Sequence, residues 1–349
     1  MDDYRKALTV WYNHTKRDLP WRELKEPYPI WVSEVILQQT RVQQGLEYYF
    51  NFMQKYPDIE SLASAPEEEV LKTWQGLGYY SRARNMQHAA KTIQREHGGI
   101  FPADYNSIKN LKGIGEYTAA AIASIAFDLP YAVVDGNVYR VLSRLFGVKT
   151  PVDSSTGKKE FYALAQMLLD RKNPGEFNQA LMELGALQCL PAQPLCPGCP
   201  LSAKCHAYIN QTTADYPVKS KQVKQKVRYF NYLFIHDHIR LFLEKRGDRD
   251  IWRNMYQFPL IETLQRAEPE ELIGGPAWQA ILGNQQFTLE AIYPEKVHLL
   301  THQRLHIRFY SVRGEGIRAS DRLISIPLER ISGYPVPKPI AFFLSEVGH

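Results

Sequence analysis

No apolar run reaches the roughly 18 residues that a membrane-crossing helix needs, which excludes a helical membrane span. The opening segment, MDDYRKALTVWYNHTKRD, is charged throughout and lacks the apolar stretch of a secretory signal. These two absences predict a cytoplasmic bacterial protein. Cysteine is scarce: 4 in 349 residues, all between Cys189 and Cys205. A reducing compartment argues against disulfides, and dispersed structural thiols would not gather in this way, so the cluster points to a metal site. Charge of one sign is not in large excess. A formal net charge of +5 is compatible with a nucleic-acid partner without demonstrating one. Internal repeats and low-complexity tracts are also missing.

What is present is ordinary soluble-protein composition, 44% hydrophobic and 23% charged, in a chain long enough for two cores. The first two-thirds reads as helices. Val32, Val35, Ile36, Val42, Leu46, Tyr49, Phe50 and Met53 recur at three- and four-residue spacing. Gln39 would fall on that stripe in a continuous helix, so a break is expected near Gln38-Gln39-Thr40. Further helices are expected at about 67–75, 81–97, 117–127, 137–146, 157–170 and 176–187. Residues 216–228, YPVKSKQVKQKVR, hold five Lys/Arg and no apolar periodicity, and read as a basic linker. Beyond them RYFNYLFIHD, RLFLEKR, EKVHLLTH and LHIRFYSVRG read as strands, with one helical stretch at about 268–282. The expectation is an all-α region over 1–215 and an α+β domain over 229–349 with a mixed or antiparallel sheet.

The cysteines follow the pattern Cys189-x6-Cys196-x2-Cys199-x5-Cys205, and Pro191, Pro194, Pro197 and Pro200 make the segment a loop. Four thiolates in one loop can hold one zinc ion or one iron–sulfur cubane, and chemistry alone leaves both open. Upstream, Leu111-Lys112-Gly113-Ile114-Gly115-Glu116-Tyr117-Thr118-Ala119 reads as helix, Gly-x-Gly turn, helix. The glycines let a phosphate approach, and the second helix starts with N–H groups pointing at it. Asp135, in Val133-Val134-Asp135-Gly136-Asn137-Val138, stands where an N-cap belongs.

These motifs, in this order, resemble the endonuclease III superfamily of helix-hairpin-helix DNA glycosylases, and the resemblance covers nearly the whole chain. It implies that Cys189, Cys196, Cys199 and Cys205 ligate a [4Fe-4S] cluster in the loop 189–205. It also implies that the hairpin, about 108–127, binds DNA backbone, and that Asp135 is catalytic as well as a cap. Bifunctional members carry a lysine nucleophile 18 residues before that aspartate, where this sequence has Tyr117. A tyrosine cannot form the Schiff base that drives strand cleavage. This is the pattern of the adenine glycosylase, MutY-like branch.

The N-terminal motifs resemble the same branch: Leu19-Pro20-Trp21-Arg22, then Trp31-Val32-Ser33-Glu34-Val35-Ile36-Leu37-Gln38-Gln39-Thr40, then Gly76-Leu77-Gly78-Tyr79-Tyr80. A lone helix glutamate is ordinarily solvated. In this motif Glu34 resembles the catalytic acid, with Tyr117 and Asn137 orienting the catalytic groups. Leu19, Trp21, Arg22, Val42 and Gln179 resemble the adenine pocket. Gln39, Thr40, Leu77 and Tyr79 resemble the residues that fill the gap left by a flipped base, with Gly113 and Gly115 on the backbone. The implied partner is double-stranded DNA bearing an A:8-oxoguanine or A:G mispair, bound by a monomer, nucleoid-associated when on DNA.

Residues 229–349 resemble the MutT-like, Nudix-fold domain of adenine glycosylases through Ile251-Trp252-Arg253-Asn254-Met255-Tyr256-Gln257-Phe258-Pro259. The glutamate-rich hydrolase box does not follow, so no pyrophosphatase activity is expected. The family reads 8-oxoguanine with a Phe-Ser-His loop. Here Leu300, Thr301 and His302 stand in its place, so the hydroxyl is kept and the aromatic is not. The competing readings are a bifunctional pyrimidine-lesion glycosylase with lyase activity and a non-catalytic iron–sulfur DNA-binding protein. Tyr117 and the C-terminal domain oppose the first. The acidic pair Glu34 and Asp135 opposes the second.

Overall fold

The computed structural model describes residues 2–220, 225–248, 250–283, 287–314 and 322–349. The chain divides into two units. The first comprises Met1–Ser64 and Asn85–Lys221, the second Ala65–Arg84 and Gln222–His349. The sequence places 65–84 with the helical region; the structure groups it with the second unit.

The first unit is all helical. Its elements are α1 (Asp2–Thr15), α2 (Pro27–Leu37), α3 (Val42–Lys55), α4 (Ile59–Ser64), α7 (Tyr105–Asn110), α8 (Glu116–Phe127), α9 (Gly136–Phe146), α10 (Ser155–Leu168), α11 (Pro174–Leu187) and α12 (His206–Ile209). Between α4 and α7 lie α5 (Glu67–Thr73), in the second unit, and α6 (Ser81–Glu96), whose first residues belong to that unit. The expected break between α2 and α3 is present. Gln39 takes a φ of 57°, a left-handed conformation that ends a helix.

Local chemistry sets the remaining boundaries. Asp104, Asp135 and Ser154 cap α7, α9 and α10, each side chain accepting from a backbone N–H of the first turn. Such caps are each worth about 1 kcal/mol. Gly113 turns the hairpin at φ +82°, and a Cβ there would stand 2.5 Å from Cβ of Asn85, so only glycine fits. One core of this unit joins Leu8 and Tyr12 of α1 to Val141, Leu145, Phe161, Phe177 and Leu184. Cys189, Cys199 and Cys205 pack against it.

Among the described residues the second unit is built on one mixed sheet of eight strands: β1 (Lys226–His236), β2 (Arg240–Lys245), β3 (Tyr256–Gln257), β4 (Leu260–Thr263), β5 (Phe287–Ile292), β6 (Lys296–Leu299), β7 (Gln303–Gly314) and β8 (Ile324–Pro327). The main path runs β3-β2-β1-β7-β5, with β1 and β7 parallel from Lys226↔Gln303 to His236↔Arg313. Alternation along β1 serves two cores. Phe230, Tyr232 and Phe234 face one that includes Ile340, Phe343 and Leu344 of α15 (Lys338–Glu346). Leu233 and Ile235 face the other, with Leu272, Trp278 and Leu282. This is the period-2 pattern of a strand buried on both sides.

Two sequence expectations need correction. The single helix at 268–282 is two short ones, α13 (Pro269–Leu272) and α14 (Pro276–Leu282), because Gly274 at φ +75° interrupts the turn. The 216–228 segment is not one free linker. Tyr216 is buried, Val218 O accepts from Val152 N, and Ser220 bonds Asp153. Residues 226–228 already belong to β1; 221–224 lie outside the described residues. Among the described residues no helix is long and apolar enough to cross a membrane.

Candidate active site

Three helices of the first unit bring the acidic pair to one place. Glu34 projects from α2, Tyr117 from the first turn of α8, and Asp135 caps α9. The Tyr117 phenol donates to Glu34 Oε2 at 2.6 Å and lies 3.7 Å from Met182 Sδ of α11. Burial holds the Tyr117 hydroxyl well above its usual pKa, so it stays a donor. Glu34 keeps some solvent contact, yet its carboxyl is packed around by protein. Burial raises that carboxyl to about 7; the Tyr117 bond and Arg22 oppose the rise, and the charge of Asp135 adds to it.

Asp135 is held at both oxygens. Oδ1 accepts from Val138 N and Oδ2 from Asn137 Nδ2, each at 2.8 Å. Burial pushes its pKa up while these bonds pull it down. Asn137 is fixed in turn by Arg140, whose Nη2 donates to Asn137 Oδ1 at 2.9 Å and to Gly185 O at 2.7 Å. Arg140 Nε reaches Cys189 O at 2.7 Å.

Arg22 is clamped as well. Nη1 donates to Tyr12 Oη at 2.7 Å and Nη2 to Glu183 Oε2 at 3.0 Å. Arg17 binds the same Glu183 carboxylate through its backbone N, Nε and Nη2. Arg22 Nε is buried with no hydrogen-bond partner in the protein. Leu19 and Trp21 are buried, with the Trp21 ring set edge-on to Tyr49 at 4.8 Å. Val42 opens α3, and Gln179 lies on α11; both are partly buried. At the α2–α3 break Gln39 is exposed and Thr40 partly so. Gly115 caps α8 with no atom within 4 Å of where a Cβ would stand, so its surface is open to a ligand.

Leu77 and Tyr79 belong to the second unit, where they meet the other group of expected residues. A cavity of about 500 Å³ is lined by Leu77, Tyr79, Trp252, Leu300, Thr301 and His302, among others. Thr301 sits at the turn from β6 to β7, pinned by bonds from Leu300 N to Gln303 O and from Lys226 N to His302 O. The Tyr79 phenol and the Thr301 hydroxyl are hydrogen-bonded. Tyr79 is exposed at φ 47°, a strained conformation for an aromatic residue.

The family of HhH-GPD superfamily base excision DNA repair proteins matches residues 32–166, and the NUDIX domain family matches 231–346. An adenine DNA glycosylase of Buchnera aphidicola subsp. Baizongia pistaciae is 37% identical over 259 residues, covering 73% of each chain. The chain belongs to the adenine DNA glycosylase family. Mouse adenine DNA glycosylase is 48% identical over 214 residues, which is 59% of this chain and 42% of the mouse protein. The chain thus spans about two-fifths of the mammalian relatives it matches. A thermostable thymine-DNA glycosylase of known structure superimposes with a TM-score of 0.56 at 30% identity, covering 60% of this chain and 96% of that one.

Within this family the four cysteines bear on a cofactor. All four thiols are free and partly buried. Burial raises the pKa of Cys196, Cys199 and Cys205, Cys199 to about 11, and the neighbouring thiols add to each rise. Grouped thiols that disfavour one another's ionisation suit a shared cation. Among the described residues no group of three or more His, Cys, Asp or Glu side chains is arranged to hold a single metal ion. The soft, four-thiol donor set fits an iron–sulfur cluster.

Sequence reasoning missed Tyr12, Arg17, Met182, Glu183, Arg140 and Arg144. None lies in a quoted motif. Only the rarity of fully buried charge, visible once the helices are packed, marks Glu183 and Arg144, both 2% exposed.

Proposed function

We propose that this chain is a monofunctional adenine DNA glycosylase that flips adenine out of A:8-oxoguanine or A:G mispairs and hydrolyses its N-glycosidic bond. The observation that carries the reading is a buried carboxyl, Glu34, raised to about 7 beside a second carboxylate, Asp135, at a helix N-terminus. Adenine leaves poorly until it is protonated. Glu34 holds its proton near neutral pH and is the group to deliver it to N7. Departure of the base leaves an oxocarbenium-like sugar. Asp135, steadied by Val138 N and Asn137, stabilises that charge or traps it on the opposite face, and water completes the hydrolysis.

The base must leave the stack first, at a cost of a few kcal/mol. Gln39, Thr40, Leu77 and Tyr79 are the residues to fill the gap, and Gly113 and Gly115 the ones to meet the phosphates. Leu19, Trp21 and Val42 enclose the adenine, Gln179 reads its edge, and the unpartnered Nε–H of Arg22 suits a ring nitrogen. Leu300, Thr301 and His302 read the oxidised guanine opposite. Cys189, Cys196, Cys199 and Cys205 hold a [4Fe-4S] cluster, which when bound supplies the metal–thiolate bonds that staple the 189–205 loop.

The test is a labelled A:8-oxoguanine duplex, treated with the protein and then with or without alkali. Cleavage only after alkali is expected. Cleavage without alkali at the same rate favours the bifunctional reading, and no cleavage in either arm favours the non-catalytic one. Iron analysis of anaerobically purified protein should give about four irons per chain if the site holds one cubane.

A further inference from the structure

Arg144 lies on α9, 2% exposed, and every part of its guanidinium is directed at the cysteine loop or the segment after it. Nη1 donates to Cys189 Sγ at 3.4 Å and to Leu190 O at 2.7 Å. Nη2 donates to Pro191 O at 2.8 Å, and Nε to Thr213 O at 3.0 Å. Its own backbone carbonyl lies 3.4 Å from Cys205 Sγ. One residue therefore touches the first and last of the four cysteines and ties the chain before the loop to the chain after it.

The charge balance points the same way. A buried guanidinium is costly unless an anion compensates it. Among the described residues no carboxylate pairs with Arg144; its partners are three neutral carbonyls and a sulfur. The anion that this cation lacks is the one the cysteines supply on ligating a metal, because ligation takes them as thiolates.

We propose that Arg144 is a positioning and tuning residue of the cluster: its hydrogen bond and charge at the Cys189 sulfur stabilise the reduced form, and its carbonyl bonds hold the loop closed. The proposal rests on the cluster reading above. Electron density on the ligand sulfurs grows on reduction, so a donor aimed at one of them favours the reduced state and raises the potential. Losing the donor and the charge lowers it.

The test compares the full-length protein with its Arg144→Met and Arg144→Lys variants, after circular dichroism has established folding. The readouts are the midpoint potential of the cluster and the rate at which iron and the visible absorbance are lost under chelator. Arg144→Met should shift the potential downward and speed iron loss at least tenfold. Arg144→Lys keeps the charge without the planar fork, and should fall between the two. Should Arg144→Met fail to fold, the lysine variant decides. A folded variant with unchanged potential and unchanged iron loss overturns the proposal. Zinc without iron in the unsubstituted protein refutes the cluster reading itself, and the proposal with it.

Discussion

The hydroxyl of Tyr117 donates to Oε2 of Glu34 at 2.6 Å, joining two residues 83 positions apart. The bond does two things to the acid. It points the carboxyl, and it offsets part of the burial that raises its pKa to about 7. Tyr117 also occupies the position at which lyase members of the superfamily carry their nucleophile. On the proposed reading, one side chain both withholds the amine that strand cleavage needs and tunes the acid.

The first prediction is the pH profile. If Glu34 is the proton donor, its working form is the neutral acid, populated below about 7 and lost as pH rises through that value. Single-turnover excision should decline on that alkaline limb. Glu34→Gln should cost at least about 100-fold in excision, within the usual range for a general acid, with duplex binding kept. Tyr117→Phe removes a bond that lowers the Glu34 pKa, so the limb should move to higher pH. A profile flat through neutrality, or excision by Glu34→Gln at the unsubstituted rate, would sink the acid assignment.

The second prediction is monofunctional chemistry. Borohydride should trap no stoichiometric Schiff base on the unsubstituted protein. Tyr117→Lys places an amine beside Glu34 and Asp135, and should acquire a trappable adduct. Competent trapping before substitution contradicts the reading.

A third follows from the contact of α11 with α9. A Cβ on Gly185 would stand 2.5 Å from Asn137 Cβ and 3.0 Å from its Cα. Gly185→Ala therefore pushes on the residue that steadies Asp135 Oδ2. Overpacking of this kind costs about 1–3 kcal/mol in stability. Turnover should fall well below that of the unsubstituted enzyme, with KM little changed. Lost stability with full turnover would show that Asn137 does not orient Asp135.

The sequence made the helices legible because their apolar periods are regular, and α7, α9 and α10 also carry Asp or Ser caps. It made the α2–α3 break legible because Gln39 interrupts an apolar stripe. The catalytic candidates were legible only as members of motifs, since nothing local distinguishes Glu34 from a solvated glutamate. What stayed hidden was tertiary. Glu183 bonds Arg17 across 166 residues and Arg140 bonds Cys189 across 49. Residues 65–84 bond the rest of the second unit through side-chain pairs that no spacing announces: Glu67 with Asn254, and Glu68 with Lys245 and Tyr256. The apolar run of β1 is plain in the sequence, whereas the break at Gly274 rests on a positive φ that the residue pattern does not announce.

The last prediction concerns lesion reading. Oxidation at C8 turns guanine N7 from an acceptor into a donor, and the Thr301 hydroxyl can accept from it. A well-placed hydrogen bond is worth about 0.5–1.5 kcal/mol net, up to roughly tenfold in affinity. With Leu300 in place of an aromatic, little stacking adds to this, so the preference should be modest and should rest on the hydroxyl. Thr301 is exposed at a hairpin turn, where Thr→Ala leaves the β6–β7 bonds in place. Thr301→Ala should therefore lower the ratio of A:8-oxoguanine to A:G binding without unfolding the protein. Cutting the chain after residue 220 is a coarser test, because it also strips Glu67 and Glu68 of their partners. It should weaken lesion preference more than it slows excision from A:G. Tyr79→Phe supplies the control: it removes the phenol that bonds Thr301 and leaves the threonine oxygen free for the lesion, so the ratio should hold or rise. Binding ratios for the four proteins decide the matter, and an unchanged ratio in both Thr301→Ala and the truncated chain would show that this loop does not read the lesion.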